Sequence, residues 1–140
     1  MDIERKIVLE NQLDAIPRLA EAVEAFGNAA ALPAKLVFQF TLALDEIVTN
    51  VITHGYPDAG QGHIEVTLQR QDGQVRAEVV DDARLFDPLR DAPTPDITAG
   101  VAERRIGGLG LHFVKTMMDS VEYHCRDGRN HLKLSKRIDE

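Results

Sequence analysis

The sequence has 140 residues, of which 44% are hydrophobic and 28% charged, and its formal net charge is −7. These values are ordinary for a globular protein and favour a single domain with one core. The negative charge disfavours nucleic acid and anionic membranes as partners, and only 5% of the residues are aromatic side chains that could stack on bases. One cysteine, Cys125, excludes an internal disulfide and a cysteine-based zinc site.

The first half of the chain reads as a strand followed by two helices. RKIVLE (5–10) looks like a strand, and residues 11–32 carry apolar side chains at helical spacing. Asn11 is a plausible cap of that helix, and Pro17 falls near its start, where proline is tolerated. Residues 33–54 predict a second helix, which begins at a proline and ends at a glycine.

The second half contains two predicted hairpins separated by an irregular segment and a helix. Apolar and polar residues alternate on both sides of an Asp-Gly pair in 62–82 and again in 120–138. Between them, residues 83–106 hold three of the six prolines and little periodicity, which is typical of a functional lid. Helical spacing resumes in 107–120.

This order of elements predicts the fold class. Strands joined by hairpins pair antiparallel, and helices then cover one face of the sheet. We therefore expect an α+β two-layer sandwich with a mixed, mostly antiparallel sheet. No apolar stretch approaches the roughly 18 residues of a membrane span, and the N-terminal segment lacks a signal-peptide pattern, so a cytoplasmic protein without membrane contact is expected.

A row of polar residues on the second helix is the first candidate site. Glu46, Asn50 and His54 are spaced by four and share one stripe of the helix. The Asn50 oxygen suits Mg²⁺, and Glu46 could act as a general base nearby. The spacing alone is more typical of a solvated helix surface, and a histidine at a helix C-terminus is commonly favoured by the helix dipole alone.

The second candidate is VVDDARLFDP (79–88), where a predicted strand enters a turn. Asp81 at the strand end could accept a hydrogen bond from an exocyclic amine such as that of adenine. Asp82 and Asp87 are more typical of turn residues that bond their own backbone, and Asp81 alone also fits that role.

The third candidate is RRIGGLGLHFVKTM (104–117), a glycine-rich turn that leads into a helix. Glycines let backbone N–H groups approach an anion, and a helix N-terminus favours phosphate. A glycine hinge that permits close helix packing is the competing interpretation. The segment is neither a Walker A loop nor a Rossmann fingerprint. In combination, the three candidates predict a pocket for a magnesium-bound nucleotide.

The same segments resemble a known family. LALDEIVTNVITHGYP, VVDDARLFDP and IGGLGLHFVKTMMDSVEYHCRDGRNHLKLSKRI are similar to the N, G1 and G2 boxes of the GHKL superfamily, and above all to the anti-sigma factor serine/threonine kinases. The resemblance covers essentially the whole chain. It implies the Bergerat ATP-binding fold as one kinase domain over 1–140, with an ATP lid at about 83–106.

The resemblance also implies residue roles. Glu46 is the expected catalytic base, Asn50 the Mg²⁺ ligand and Asp81 the carboxylate that reads adenine. The expected nucleotide-binding residues as a set are Asn50, Asp81, Ala83, Arg105, Gly107, Gly108, Leu109, Gly110 and Leu111. The implied reaction transfers the γ-phosphoryl group of ATP to a serine or threonine of an anti-anti-sigma partner of the STAS fold. A sigma factor is a further expected partner, and kinases of this kind are commonly homodimers.

Two positions depart from the family pattern, because Ala83 and Leu85 stand where the G1 box normally has glycines. They motivate a rival hypothesis, a nucleotide-gated binding module that has lost transferase activity. The catalytic half of a histidine kinase is a weaker rival, since it needs a helical hairpin bearing a phospho-accepting histidine. The other histidines show no metal-ligand spacing, and Cys125 is expected to be a small apolar filler.

Overall fold

The computed structural model describes residues 2–56, 60–87 and 108–138, with side chains from 112 onward in the last segment. A single 3-10 turn, Leu13–Ala15, precedes the first helix. The elements in chain order are β1 (Ile3–Glu10), α1 (Ile16–Ala29), α2 (Ala34–His54), β2 (His63–Gln71), β3 (Gln74–Asp81), α3 (Gly108–Met117), β4 (Ser120–Arg126) and β5 (Arg129–Arg137).

The five described strands form one sheet in the order β1-β2-β3-β5-β4, and each neighbouring pair is antiparallel. Both predicted hairpins are present. Their turns place Asp72 and Gly73 at φ 55° and 74°, and Asp127 and Gly128 at φ 54° and 74°. Two successive residues with positive φ give the turn geometry that matches the twist of paired strands, which is why Asp-Gly predicts it well.

The helices cover one face of the sheet and enclose a single core. Alternate residues of the strands point into that core, as with Ile64, Val66 and Leu68 of β2, each at most 1% exposed. The largest fully buried side chains from both layers are Phe26, Phe40, Leu9, Leu19, Leu44, Ile64, Leu68 and Leu134. The predicted α+β two-layer sandwich is confirmed.

The helix boundaries agree with the predicted signals except at Asn11. Pro17 lies in the first turn of α1, and Pro33 is the N-cap of α2. Asn11 does not cap α1, which begins five residues later without a side-chain cap. Its carboxamide instead bonds a distant loop, donating to Gly60 O at 2.7 Å and accepting from Gly62 N at 2.9 Å.

Helix α2 is more apolar than expected for a chain in which no stretch was predicted to approach a membrane span. It is 21 residues long, and an 18-residue window reaches a mean hydropathy of 1.4, within the range of membrane-spanning helices. A core helix meets the same criterion, and α2 buries Leu36, Phe40, Ala43, Leu44, Ile47 and Val48 against the rest of the domain. Its apolar character therefore has an explanation in packing, and it is weak support for a membrane span.

The predicted burial of Cys125 is wrong. Its thiol side chain is exposed, because the residue lies near the end of β4, which is one of the two edge strands of the described sheet.

Candidate nucleotide-binding site

Glu46 and Asn50 form a direct pair on α2. Both side chains are half-buried, and Asn50 Nδ2 donates a hydrogen bond to Glu46 Oε1 at 3.2 Å. The spacing of four brings them together on one face of the helix, next to the buried Ile47. His54, the third member of the predicted row, is exposed in the last turn.

The amide of Asn50 suits a cation that arrives with its own ligands. Since the nitrogen is bonded to Glu46, the oxygen Oδ1 is the atom that remains for a metal ion. Within the described residues there is no group of three or more His, Cys, Asp or Glu side chains that could hold a metal. Mg²⁺ commonly binds through one or two protein oxygens together with phosphates and water, so a single amide oxygen could be one of its ligands.

Asp81 ends β3 as a buried carboxylate, 4% exposed. Its Oδ1 accepts hydrogen bonds from Ala83 N at 3.0 Å and Asn130 Nδ2 at 2.8 Å. Burial raises the pKa of Asp81, and the hydrogen bonds from Asn130 and Ala83 oppose that rise in part. Among the described residues, no donor reaches Oδ2, the second oxygen of this carboxylate.

Asn130, on the adjacent strand β5, is a site residue that the sequence analysis missed. It is 6% exposed and pairs with Asp81 across the sheet. Beyond its bond to Asp81, Nδ2 lies 3.0 Å from Arg84 O and 3.5 Å from Ala83 O. Its Oδ1 accepts from Phe86 N at 3.1 Å and from the Tyr123 hydroxyl. One buried amide thus joins Asp81 to the residues that follow β3.

The residues after β3 also contact the C-terminal end of α2. Arg84 N donates to Gly55 O at 2.9 Å. Ala83 is buried, and a Cβ atom added to Gly55 would lie 2.6 Å from the Ala83 Cβ. The methyl group of Ala83 therefore faces Gly55. Through this contact, the helix that carries Glu46 and Asn50 is joined to the strand end that carries Asp81.

A second connection runs through Asp82, which had been expected only to bond its own turn. Its Oδ1 accepts from the Tyr56 hydroxyl at 2.7 Å and from His63 N at 3.1 Å. The pKa of Asp82 is lowered by these hydrogen bonds, which outweigh its desolvation, whereas burial and the bond to Asp82 raise the pKa of Tyr56. Asp82 thereby joins the start of β2 to the residues just after α2.

The glycine-rich segment is described from Gly108 onward. Gly108, Leu109, Gly110 and Leu111 form the start of α3, as predicted for a helix that begins in this segment. Helix α3 packs against α2, and Val114 and Met118 are buried in the core. Arg105 and Gly107 lie outside the described residues, as does the predicted lid from residue 88 to 106.

Comparison with known proteins identifies the family of the chain. The Histidine kinase-like ATPase domain family matches residues 9–136. Serine/threonine-protein kinase BtrW of Bordetella bronchiseptica is 30% identical over 102 residues, which cover 73% of this chain and 71% of the relative. Serine-protein kinase RsbW of Listeria monocytogenes is 24% identical over 122 residues, covering 85% and 77%. Anti-sigma F factor of a Thermoanaerobacter species is 30% identical over 97 residues, covering 69% and 66%.

The fold is also found in a solved structure. The crystal structure of the RsbU and RsbW domains of a Mycobacterium tuberculosis protein matches with a TM-score of 0.70 at 18% identity. The match covers 99% of this chain but 33% of that longer one. The chain belongs to the histidine kinase-like ATPase domain family, within its anti-sigma-factor serine/threonine kinase group. The predicted GHKL membership is thus confirmed, and the predicted enzyme class is the one named for its relatives.

Proposed function

We propose that this domain is an ATP-dependent protein kinase that transfers the γ-phosphoryl group to a serine or threonine of a STAS-type anti-anti-sigma protein. The observation that carries the proposal is the hydrogen-bonded pair of Glu46 and Asn50 on α2. By the resemblance to the GHKL superfamily, this pair would supply a carboxylate base and a metal-binding oxygen one helical turn apart. Relatives named as serine kinases and an anti-sigma factor support the same assignment.

Each side chain has a specific task in the proposed reaction. The acceptor hydroxyl oxygen forms a bond to the γ-phosphorus of ATP, the bond from that phosphorus to the bridging oxygen breaks, and ADP leaves. Glu46 takes the proton of the hydroxyl. Asn50 Oδ1 would hold Mg²⁺, whose chemistry is to neutralise charge on the phosphate oxygens. Asp81 Oδ2 would accept from the exocyclic amine of adenine.

The start of α3 is the proposed phosphate site. Helix N-termini attract phosphate through their free N–H groups and their dipole. Helix α3 begins at Gly108 and packs against α2, the helix that carries Glu46 and Asn50. Gly107, Gly108 and Gly110 with Leu109, Leu111 and Arg105 remain predictions for this role, and residues 83–106 remain the predicted lid.

A labelling experiment tests the proposed transfer. The protein is incubated with magnesium, γ-labelled ATP and each STAS protein encoded by the same genome. We expect label on a serine or threonine of one STAS protein and none with Glu46→Gln. Uptake of ATP in calorimetry without any labelled acceptor would instead identify the rival, a nucleotide-gated binding module.

Sequestration of a sigma factor is the second part of the proposal. It is supported by the relative named Anti-sigma F factor. A pull-down from the native cell with and without magnesium-ATP should recover a sigma factor whose amount depends on nucleotide. Recovery of a sigma factor at the same level without nucleotide, or of no sigma factor in either condition, contradicts this part only. Homodimer formation remains a prediction to be measured in the same preparation.

A further inference from the structure

Asn130 is the buried polar side chain that the proposed mechanism does not use. Its two ends face different groups. The nitrogen faces the Asp81 carboxylate and two backbone carbonyls, and the oxygen faces a backbone N–H and the Tyr123 hydroxyl. Because donors surround Oδ1 and acceptors surround Nδ2, the orientation of the amide is determined by its partners. A buried amide with this many partners is held in a single arrangement.

This arrangement determines which oxygen of Asp81 a ligand meets. Asp81 Oδ1 is bonded by Asn130 Nδ2 and by Ala83 N, both within 3.0 Å. A carboxylate held on one oxygen by two donors presents its other oxygen in a fixed direction. Loss of the Asn130 donor would leave Ala83 N as the one described donor, and the carboxylate plane would be free to rotate.

Asn130 also fixes the backbone that follows Asp81. Phe86 N donates to its oxygen at 3.1 Å, and Arg84 O accepts from its nitrogen at 3.0 Å. The chain between these residues therefore returns to the end of β5. The bonds to residues 84 and 86 lie on the same amide as the bond to Asp81, so the carboxylate and the segment 83–86 cannot move independently.

We propose that Asn130 is a positioning residue for base recognition: its single amide holds the Asp81 carboxylate and the segment 83–86 in the arrangement that binds the 6-amino group of adenine. The inference rests on the proposed function, because it takes Asp81 as the residue that binds the base. Asn130 acts through Asp81 and is not assigned a contact with the nucleotide.

Selectivity for the 6-amino group distinguishes positioning of Asp81 by Asn130 from a purely structural role of Asn130, because a structural role would affect both ligands equally. The probes are ATP and purine riboside triphosphate, which lacks that amino group, each titrated with magnesium in a calorimeter. Asn130→Leu has a similar volume but loses the donors to Asp81 and to the carbonyls without adding a charge or a second carboxyl group. We expect wild-type protein to bind ATP about 10- to 150-fold more tightly than the analogue, the range that one hydrogen bond to a charged group gives. In Asn130→Leu the ratio should fall towards one, mainly through loss of ATP affinity.

The matched control is Tyr123→Phe, which removes one donor to Asn130 Oδ1 and leaves the bond between Asn130 and Asp81. It should keep the wild-type ratio. Asn130→Ser is the second variant, to be used if Asn130→Leu does not unfold cooperatively, and the same fall in ratio is expected. Equal weakening of both ligands in a folded variant, with the ratio unchanged, overturns the inference.

Failure of this inference is distinguishable from failure of the proposed function. Wild-type protein that takes up neither nucleotide overturns the proposed function and this inference with it. Wild-type protein that binds both probes equally overturns the role of Asp81 and of Asn130, while nucleotide binding stands. Wild-type selectivity that persists in the Asn130 variants overturns the positioning role alone.

Discussion

Asn50 Nδ2 donates to Glu46 Oε1 over 3.2 Å, so the two polar residues that the second helix aligns are bonded to each other. The bond orients both groups at once. It leaves Asn50 Oδ1 for a cation, and it holds the Glu46 carboxylate on the same half-buried face of α2. A general base must lie within reach of the proton it takes, and a neighbour that restricts its rotamers contributes to that geometry.

Glu46→Gln should separate binding from chemistry. Glutamine keeps an oxygen that can accept the hydrogen bond from Asn50, but it cannot take a proton. ATP affinity should stay within about twofold of wild type, while the transfer rate falls by about 10²–10⁴-fold. Calorimetry and single-turnover labelling measure the two quantities. Transfer at the wild-type rate would show that Glu46 is not the base.

Asn50→Ala should instead weaken both binding and transfer. The change removes the oxygen proposed for Mg²⁺, and it also removes the donor that orients Glu46. We expect weaker ATP uptake in the presence of magnesium and little change in its absence. Thr49→Ala is the matched control on the same turn, since the Thr49 hydroxyl bonds Asp45 and not the site. An equal loss of affinity with and without magnesium would contradict the metal role.

The hairpins and the candidate polar residues could be predicted from local sequence patterns. The contacts between residues distant in sequence could not. Asn130 shares the period of two with Leu132 and Leu134, so its position on the core face was readable. Its register with Asp81 was not, because β5 inserts between β3 and β4 and strands distant in sequence pair there. The prediction that Asn11 caps the first helix was wrong for a similar reason, since its hydrogen-bond partners are 49 and 51 residues away in the sequence.

The structural effect of Ala83 and Leu85, which stand where the G1 box normally has glycines, also depends on tertiary contacts that the sequence does not show. Sequence comparison could show that Ala83 replaces a glycine, but not where its methyl group lies. In the structure this methyl faces Gly55, a glycine that stands at the end of α2 and allows the close approach. Leu85 is exposed. The first departure therefore has a matching small residue elsewhere in the chain.

Gly55→Ala should destabilise the domain. An added Cβ would lie 2.5 Å from Val51 O and 2.6 Å from the Ala83 Cβ, both too close for real atoms. Overpacking of this kind costs about 1–3 kcal/mol in the free energy of unfolding, measurable by urea denaturation. In the double variant with Ala83→Gly, stability should recover only in part, because the Val51 carbonyl remains. Full recovery would mean that the helix carbonyl does not restrict the site.

Asp81→Asn should raise the stability of the fold and remove the preference for ATP. Burial raises the pKa of Asp81, so its charged form destabilises the fold above the ordinary value of 3.8. Asparagine keeps an oxygen for the donors of Asn130 and Ala83 and carries no charge. At neutral pH the melting temperature should rise by a few degrees, the shift that about 1 kcal/mol produces.

The same variant should lose its preference for ATP over purine riboside triphosphate. The gain in melting temperature should shrink as pH falls through the raised folded pKa towards 3.8, and it should be absent below 3.8, where the carboxyl is neutral in both the folded and the unfolded state. A melting temperature below that of wild type at neutral pH would indicate that the charge of Asp81 stabilises the folded state, contrary to the assigned burial cost.

Tyr56→Phe removes the hydrogen bond from the Tyr56 hydroxyl to Asp82, and the resulting loss of stability should depend on pH. The pKa of Asp82 is lowered, so its contribution to stability is present above the ordinary value of 3.8 and is lost as pH falls through the folded value. The pKa of Tyr56 is raised, so its contribution is present below the ordinary value of 10.0 and is lost as pH rises through the folded value.

The difference in stability between wild type and Tyr56→Phe should therefore be greatest between these two ordinary values. We expect up to about 1 kcal/mol, since Asp82 is largely exposed and solvent weakens the bond. Urea denaturation at several pH values measures it. Tyr123→Phe is the control, because its hydroxyl bonds Asn130 and not a carboxylate. A Tyr56→Phe difference that stays constant on acidification through the carboxyl range would show that the bond to Asp82 does not carry the effect.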